Sequence, residues 1–218
     1  MSKLKRMMFC LAVCCVFLLP TSGAFAATGF YFNGGLQTGN YYGASGNIEC
    51  DELEDVGNDV SVWVMVAGQS STEYIQAGWG RHWDQSRNYH FYQYNGDEFY
   101  HRETGVASPG STYSYKVERT GNTWSIYIDG SIEDTVSHSD LGWTAGSAQF
   151  FGEVHDSEAD QSPGTVSDPV TSGYLRVKSS SGTWSDASFT NTYEDLPHQR
   201  NNADEGDDNY EQWDNRYS

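Results

Sequence analysis

A carboxylate within an apolar strand is the strongest chemical signal in the sequence. The segment Gln149–Asp156 reads QFFGEVHD, and strand alternation places Gln149, Phe151 and Glu153 on one face. Burial of an unpartnered carboxylate is costly, so Glu153 needs a partner or a water-filled groove. The neighbouring Gly152 allows a ligand or another backbone segment to approach closely. The alternative is that Glu153 lies on a solvated face or at the end of its strand.

A side-chain amide in an earlier strand is the second signal. In the run Glu73–Trp79 (EYIQAGW), the residues Ile75, Ala77 and Trp79 share one face. If that face packs inward, Gln76 points to the opposite face of its sheet. The alternative is a half-exposed amide without a chemical role.

Other chemistries fit the sequence less well. Retaining glycosidases on a sandwich place their carboxylates at alternate positions of one strand, whereas Asp156 and Glu158 would fall on the face opposite Glu153. The histidines show no zinc spacing, and no G-x-S-x-G motif is present. His155 could either tune Glu153 or cap the strand. Asp156, Glu158 and Asp160 could hold calcium, although a solvated loop is the simpler interpretation. We therefore expect no metal and no cofactor.

Short strands must position these side chains, because no stretch shows a sustained helical period. Runs rich in Val, Ile, Tyr, Phe and Trp recur between clusters of Gly, Asn, Asp and Ser. The predicted strands are Val60–Val66, Glu73–Trp79, Tyr89–Tyr94, Glu98–Arg102, Thr112–Arg119, Thr123–Ile128, Ser131–Val136, Ser147–Val154 and Gly173–Lys178. Asn95-Gly96 and Asp129-Gly130 are typical of hairpin turns, since both residue types tolerate positive φ. This pattern predicts an all-β, antiparallel sandwich or barrel.

Composition excludes several classes of partner. The 218 residues include 30 Asp and Glu against 12 Lys and Arg, which gives a net charge of −18. Nucleic acids and anionic membrane surfaces attract basic proteins, so neither is an expected partner. Aromatic residues form 15% of the chain, which favours a packed core over disorder. A chain of this length is typical of one domain.

The first 26 residues have the pattern of a signal peptide. Basic residues precede an apolar run that ends at Pro20, and Ala24–Ala26 fits a small-x-small cleavage site. We expect secretion to the extracellular space or the periplasm, with a mature chain that begins at Ala27. An uncleaved anchor or a lipidated cysteine is the alternative. Only Cys50 remains after cleavage, so no internal disulfide is expected.

Changes in composition suggest three further segments. Residues 27–57 contain two turn-rich stretches and are predicted to form an N-terminal arm with irregular strands. Residues 58–193 hold the predicted strands and form the β-sandwich domain. Residues 194–218 are rich in acids and poor in apolar groups, which predicts a disordered acidic tail.

The two chemical signals together resemble a known group of enzymes. The segments YIQAGWGRHW…YHFYQY and AQFFGEVHD…DQSPG resemble bacterial relatives of the neprosin and eqolisin glutamic peptidases. The resemblance covers roughly residues 58–165 and implies a jelly-roll sandwich of the concanavalin A type. It matches Gln76 to the first catalytic position of that group and Glu153 to the second, both on one concave sheet.

The resemblance also implies an activity, which is hydrolysis of peptide bonds at mildly acidic pH. In that mechanism Glu153 acts as general base toward water, and Gln76 positions the water and donates to the oxyanion. Trp79, Tyr92 and Tyr94 would shape the substrate groove. No metal or nucleophilic side chain is required.

A noncatalytic binding module is the alternative function. Secreted sandwiches rich in Tyr and Trp often bind glycans by stacking rings on sugar faces, and an aromatic band surrounds Asn95-Gly96. The expected partner is thus a protein or peptide substrate, or alternatively a glycan, for a monomeric protein. The two functions differ in one feature: a glutamic peptidase needs Gln76 and Glu153 in one groove, within about one water of each other.

Overall fold

The computed structural model describes residues 29–53, 59–70, 72–155, 161–204 and 206–218. These residues form fifteen strands and one short helix. In chain order the elements are β1 (Phe30–Tyr41), β2 (Gly43–Glu49), β3 (Val60–Ala67), β4 (Tyr74–Arg81), β5 (Asn88–Asn95), β6 (Tyr100–Ala107), β7 (Thr112–Thr120), β8 (Thr123–Ile128), β9 (Ser131–Ser137), α1 (His138–Leu141), β10 (Gly146–His155), β11 (Val170–Lys178), β12 (Trp184–Asp186), β13 (Asn191–Glu194), β14 (Gln199–Asn201) and β15 (Tyr210–Asp214).

The strands form two antiparallel sheets that pack face to face. The seven-stranded sheet has the order β13-β1-β10-β3-β4-β5-β6. The eight-stranded sheet has the order β14-β15-β11-β2-β7-β8-β9 with β12 paired to β11. The all-β antiparallel sandwich predicted from the sequence is confirmed.

Alternation along the strands builds the core between the sheets. On β8, the residues Trp124, Ile126 and Ile128 are buried on one face. On β3, the valines at 60, 62, 64 and 66 are almost fully buried in the same cluster. This leaves the opposite, outer face of the seven-stranded sheet to carry the polar side chains of interest.

The two predicted hairpins form with different turns. Asp129 and Gly130 both have positive φ, 49° and 76°, as a two-residue primed turn requires. The turn predicted at Asn95-Gly96 is wrong in its type, because neither residue has positive φ. The loop between β5 and β6 instead continues to Tyr100, where β6 begins. Gly96 is needed for another reason: an added Cβ would collide with the backbone of Leu141 in α1.

The prediction of an N-terminal arm over residues 27–57 is wrong for the residues described there, because they form two strands of the sandwich. β1 is a twelve-residue strand between β10 and β13, and β2 lies between β11 and β7. The predicted signal peptide, residues 1–26, lies outside the described residues. Among the residues that are described, no helix is long and apolar enough to cross a membrane.

The predicted disordered tail is also wrong, since β14 and β15 belong to the eight-stranded sheet. Tyr210, Gln212 and Asp214 point inward from β15 and are buried. The Tyr210 hydroxyl donates to the Phe150 carbonyl oxygen at 3.0 Å. An added Cβ at Gly152 would collide with the Gln212 amide. The close approach expected at Gly152 is therefore made by the C-terminal segment.

Cys50 is a free cysteine with a buried side chain. Asn88 Nδ2 donates to its sulfur at 3.1 Å. Burial raises the pKa of the Cys50 thiol to about 12, against a smaller lowering effect of the Asn88 hydrogen bond. A thiol with so high a pKa is not a nucleophile near neutral pH.

Candidate active site

The outer face of the seven-stranded sheet carries both chemical signals of the sequence. Strand pairing arranges three rows across β10, β3 and β4. These rows are Glu153, Ser61 and Gly80; Phe151, Trp63 and Gly78; and Gln149, Met65 and Gln76. Trp63 therefore lies between Glu153 and Gln76 on the diagonal of this grid.

Glu153 is buried, with 6% of its surface exposed, and each of its carboxylate oxygens has a partner. The Trp63 indole Nε1 donates to Oε2 at 2.6 Å. The His155 Nε2 lies 2.6 Å from Oε1. Short hydrogen bonds to a charged group are among the stronger ones in proteins, so they offset much of the desolvation. His155 thus contacts the Glu153 carboxylate directly.

Trp63 is a functional candidate that sequence reasoning missed. Its ring makes edge contacts with Phe151 and Phe32, at centroid distances of 5.5 and 6.2 Å. It therefore leans toward β10 and β1 and away from β4. The sequence does contain a sign of its position. Trp63 alternates with the core valines of β3 and shares a face with Ser61 and Met65, which is the face of Glu153.

The outward positions of β4 that follow Gln76 are glycines. Gly78 and Gly80 follow Gln76 on this face, and Ser61 is the neighbour of Gly80. An added Cβ at Gly78 would collide with the Val62 carbonyl oxygen, so the position accepts only glycine. Both glycines are nevertheless buried, because Trp63 flanks Gly78 and the Tyr89 hydroxyl lies against Gly80.

Gln76 lies on this face with a free amide. Its residue is 5% exposed, and its side chain makes no hydrogen bond to the described residues. Its cross-strand neighbours are Met65 on β3 and Gln93 on β5. A side-chain amide that has no protein partner is available to donate to a bound group.

Gln76 and Glu153 share the face but are not in direct contact. The register separates them by two strands and four residues, which is about 16 Å between Cα atoms on a flat sheet. Trp63 lies between them on the diagonal, and the Glu153 carboxylate is held by Trp63 and His155. Gln76 and Glu153 therefore share the outer face, and a shared water requires Trp63 and both side chains to change position.

The three aromatic residues predicted to shape the groove lie on the wrong face. Trp79 is fully buried in the core, and its indole Nε1 donates to the Glu49 carbonyl oxygen at 2.9 Å. Tyr92, the cross-strand neighbour of Ala77, is buried in the same core. Tyr94 is half-buried against that core and stacks on Tyr100. Alternation explains the correction, because Trp79 is odd-numbered on a strand whose even-numbered residues face outward.

A group of polar side chains lies at the β6 edge of the same face. We call Asp59, His82, His101 and Glu103 the histidine cluster. Desolvation acts to lower the pKa of His82, but its contacts with Asp59 and Glu103 raise it above its usual range. Desolvation of the His101 ring lowers its pKa, although the residue as a whole is exposed. The possible calcium ligands Asp156, Glu158 and Asp160 lie outside the described residues.

Comparison with known proteins identifies the fold as the antiparallel jelly-roll sandwich of the glutamic peptidases. Scytalido-glutamic peptidase, solved with a peptide-based transition-state analogue, matches with a TM-score of 0.61 and 14% identity, over 86% of this chain and all of that one. SCP-B, an eqolisin-family peptidase in complex with the tripeptide Ala-Ile-His, matches with a TM-score of 0.58 and 13% identity over the same shares. A Bacillus licheniformis β-glucanase gives a TM-score of 0.38 over 56% of this chain. No protein-family model and no curated sequence matches the chain.

Proposed function

We propose that this protein is a secreted endopeptidase of the glutamic type, with Glu153 as the general base. The observation that carries the proposal is the buried Glu153 carboxylate, held by Trp63 and His155 on the outer face. The fold shared with scytalido-glutamic peptidase supports it, because that protein binds a peptide-based transition-state analogue. Peptide substrates are accordingly the partner class that we propose.

The proposed reaction uses only side chains of the outer face. Glu153 takes a proton from a bound water, whose oxygen attacks the carbonyl carbon of the scissile peptide bond. The Gln76 amide donates a hydrogen bond to the oxyanion that develops on that carbonyl. The proton on Glu153 then passes to the leaving nitrogen as the C–N bond breaks. Trp63 and His155 hold the carboxylate in place throughout.

Digestion of a complex peptide mixture tests this function directly. The purified chain from Ala27 onward would be incubated with the mixture from about pH 3 to pH 8, and products would be identified by mass spectrometry. We expect cleavage at acid pH that a metal chelator does not abolish. A folded protein that leaves the mixture intact at every pH would contradict the proposal and favour a noncatalytic glycan or peptide binder.

Substitution of Trp63 tests its positioning role. Trp63→Phe keeps an aromatic ring in the contacts with Phe151 and Phe32 but removes the N–H that donates to Glu153. Because a hydrogen bond to a charged group contributes about 1.5–3 kcal/mol, we expect kcat to fall by about 10- to 100-fold with little change in KM. Trp83→Phe is the control, since Trp83 is 63% exposed. Equal losses in both variants would contradict the role of Trp63.

Secretion makes a separate prediction. We expect protein recovered from the medium or periplasm to begin at Ala27, because signal peptidase cleaves after small-x-small motifs such as Ala24–Ala26. Intact mass measurement and N-terminal sequencing check this. A cell-bound product that retains Met1, or that carries a lipid on a leader cysteine, would overturn the prediction.

A further inference from the structure

The histidine cluster brings two imidazoles and a carboxylate together at the sheet edge. His82 follows β4, and His101 and Glu103 lie two residues apart on β6, so both face outward. One potential ligand atom from each of the three lies within 4.8 Å of the others. The His82 Nε2 and a Glu103 oxygen are 3.1 Å apart. These residues come from separate parts of the chain, which explains why their spacing shows no metal motif.

Each imidazole already has an oxygen partner for Nδ1. The His82 Nδ1 lies 2.8 Å from an Asp59 carboxylate oxygen. The His101 Nδ1 lies 3.0 Å from the Gln93 amide oxygen. That amide is oriented by its own Nε2, which donates to the Tyr74 hydroxyl at 2.8 Å. With Nδ1–H directed at an oxygen, loss of the Nε2 proton to an incoming metal gives the tautomer in which Nε2 binds the ion, as in many metal-bound histidines.

Stacking fixes the planes of both imidazoles. The His82 ring stacks on Tyr89 at a centroid distance of 4.7 Å. The His101 ring stacks on Phe91 at 5.8 Å. Tyr89 and Phe91 are alternate residues of β5, so one strand orients both rings. The ligand set is thereby largely preorganised.

The dimensions and donor types fit one metal class. Two ligands bound at about 2.1 Å in a tetrahedron lie about 3.4 Å apart. The 3.1 Å between the His82 Nε2 and the Glu103 oxygen is close to that value. The other two distances are at most 4.8 Å, and small side-chain rotations bring them to about 3.4 Å. Two nitrogens and one carboxylate suit zinc, whereas calcium and magnesium prefer all-oxygen sites. The Glu103 side chain is 41% exposed, so an ion can enter from solvent.

We propose that His82, His101 and Glu103 form a Zn²⁺ site with a fourth position open to water, and that Asp59 and Gln93 orient its two histidines. The site lies at the β6 end of the outer face, because His101 pairs with Gln93 and Gln93 pairs with Gln76. It is thus next to the proposed peptide groove but shares no residue with the catalytic pair. The proposal is independent of peptidase activity.

Titration of the chain from Ala27 onward with Zn²⁺ tests the site, with calorimetry and a competing chromophoric chelator as readouts. We expect about one ion per chain and a micromolar or tighter Kd. Glu103→Gln and His101→Gln should each weaken binding at least tenfold, and Asp59→Asn by about 10- to 100-fold. His138→Gln, which alters a histidine of α1 outside the cluster, should bind as the unaltered chain does.

Substitution by Co²⁺ gives a second readout that a surface salt bridge would not produce. The bound ion should show the visible absorption of a four-coordinate N/O site, and Glu103→Gln should lose it. Absence of Zn²⁺ binding below millimolar concentration would overturn the proposal. Equal affinity of Glu103→Gln, His101→Gln and the unaltered chain would overturn it too, as would preferential binding of Ca²⁺.

Discussion

Replacement of Glu153 by glutamine should abolish peptide hydrolysis while the fold stays intact. The glutamine keeps the size of the side chain and an oxygen that can accept from Trp63 Nε1. It removes the negative charge that takes the proton from water. General-base catalysis contributes about 10²- to 10⁴-fold, so we expect kcat/KM to fall by at least about a hundredfold.

The experiment measures initial rates of peptide cleavage and the thermal unfolding of each variant. Glu133→Gln, on β9 of the opposite sheet, is the matched control and should retain full activity. Loss of activity with an unchanged melting temperature supports a catalytic role. Cleavage by Glu153→Gln at the unaltered rate would mean that the fold is right but the site is elsewhere.

Deletion of residues 195–218 should prevent cooperative folding. The deleted segment contains β14 and β15 and the buried apolar residues Leu196, Ala203 and Tyr210. Each large buried apolar side chain contributes about 1.5–3 kcal/mol, and a domain has a total stability of about 5–15 kcal/mol. Loss of Leu196 and Tyr210 alone thus costs about 3–6 kcal/mol, which reaches the lower part of that range, and deletion also exposes the edge of β11.

Near-ultraviolet circular dichroism and urea unfolding of the truncated chain check this result. A disordered tail would leave both unchanged after deletion, and that outcome would contradict the structure. Gly152→Ala is a subtler probe, because its added Cβ would collide with Gln212 of β15. We expect it to lower the free energy of unfolding by about 1–3 kcal/mol. Gly105→Ala is the control, since its added Cβ would make only an ordinary contact at 3.6 Å.

The central strands could be predicted from the sequence, whereas the terminal ones could not. β3, β4, β7, β8 and β10 show clear runs or alternation of apolar residues, so their positions follow from the residues alone. β1 reads as turns because it contains glycines. An added Cβ at Gly35 would overlap the Phe189 ring, so that glycine serves packing within a strand rather than a turn.

The acidic composition of the C-terminal segment hides its strands. In β15 the inward residues are Tyr210, Gln212 and Asp214, so the buried face is mostly polar. Asp214 is stabilised in burial by the Ser162 backbone N–H at 3.1 Å and by Arg216 at 2.7 Å. Hydrogen bonds from Arg216 and Ser162 outweigh desolvation and hold the pKa of Asp214 below its usual range. Ser162 is 52 positions away in sequence, so composition alone does not reveal that this acidic segment is folded.

The candidate site could be predicted only in part from the sequence, because its key contacts also join residues that are far apart in the chain. Alternation could place Gln76 and Glu153 on the face that bears no core valines. It could not reveal that Trp63 bridges toward Glu153, because that contact joins residues 90 positions apart. Aromatic richness misled the assignment of Trp79 and Tyr92, since rings fill cores as readily as they line grooves.

A crystal structure of Glu153→Gln with a bound substrate peptide tests the central claim most directly. We predict that the scissile carbonyl lies over Gly78, with the Gln76 amide within hydrogen-bond distance of its oxygen. One water should lie between that carbonyl carbon and the side chain at position 153. A peptide bound to another surface, or residues 76 and 153 too far apart to share that water, would contradict the account.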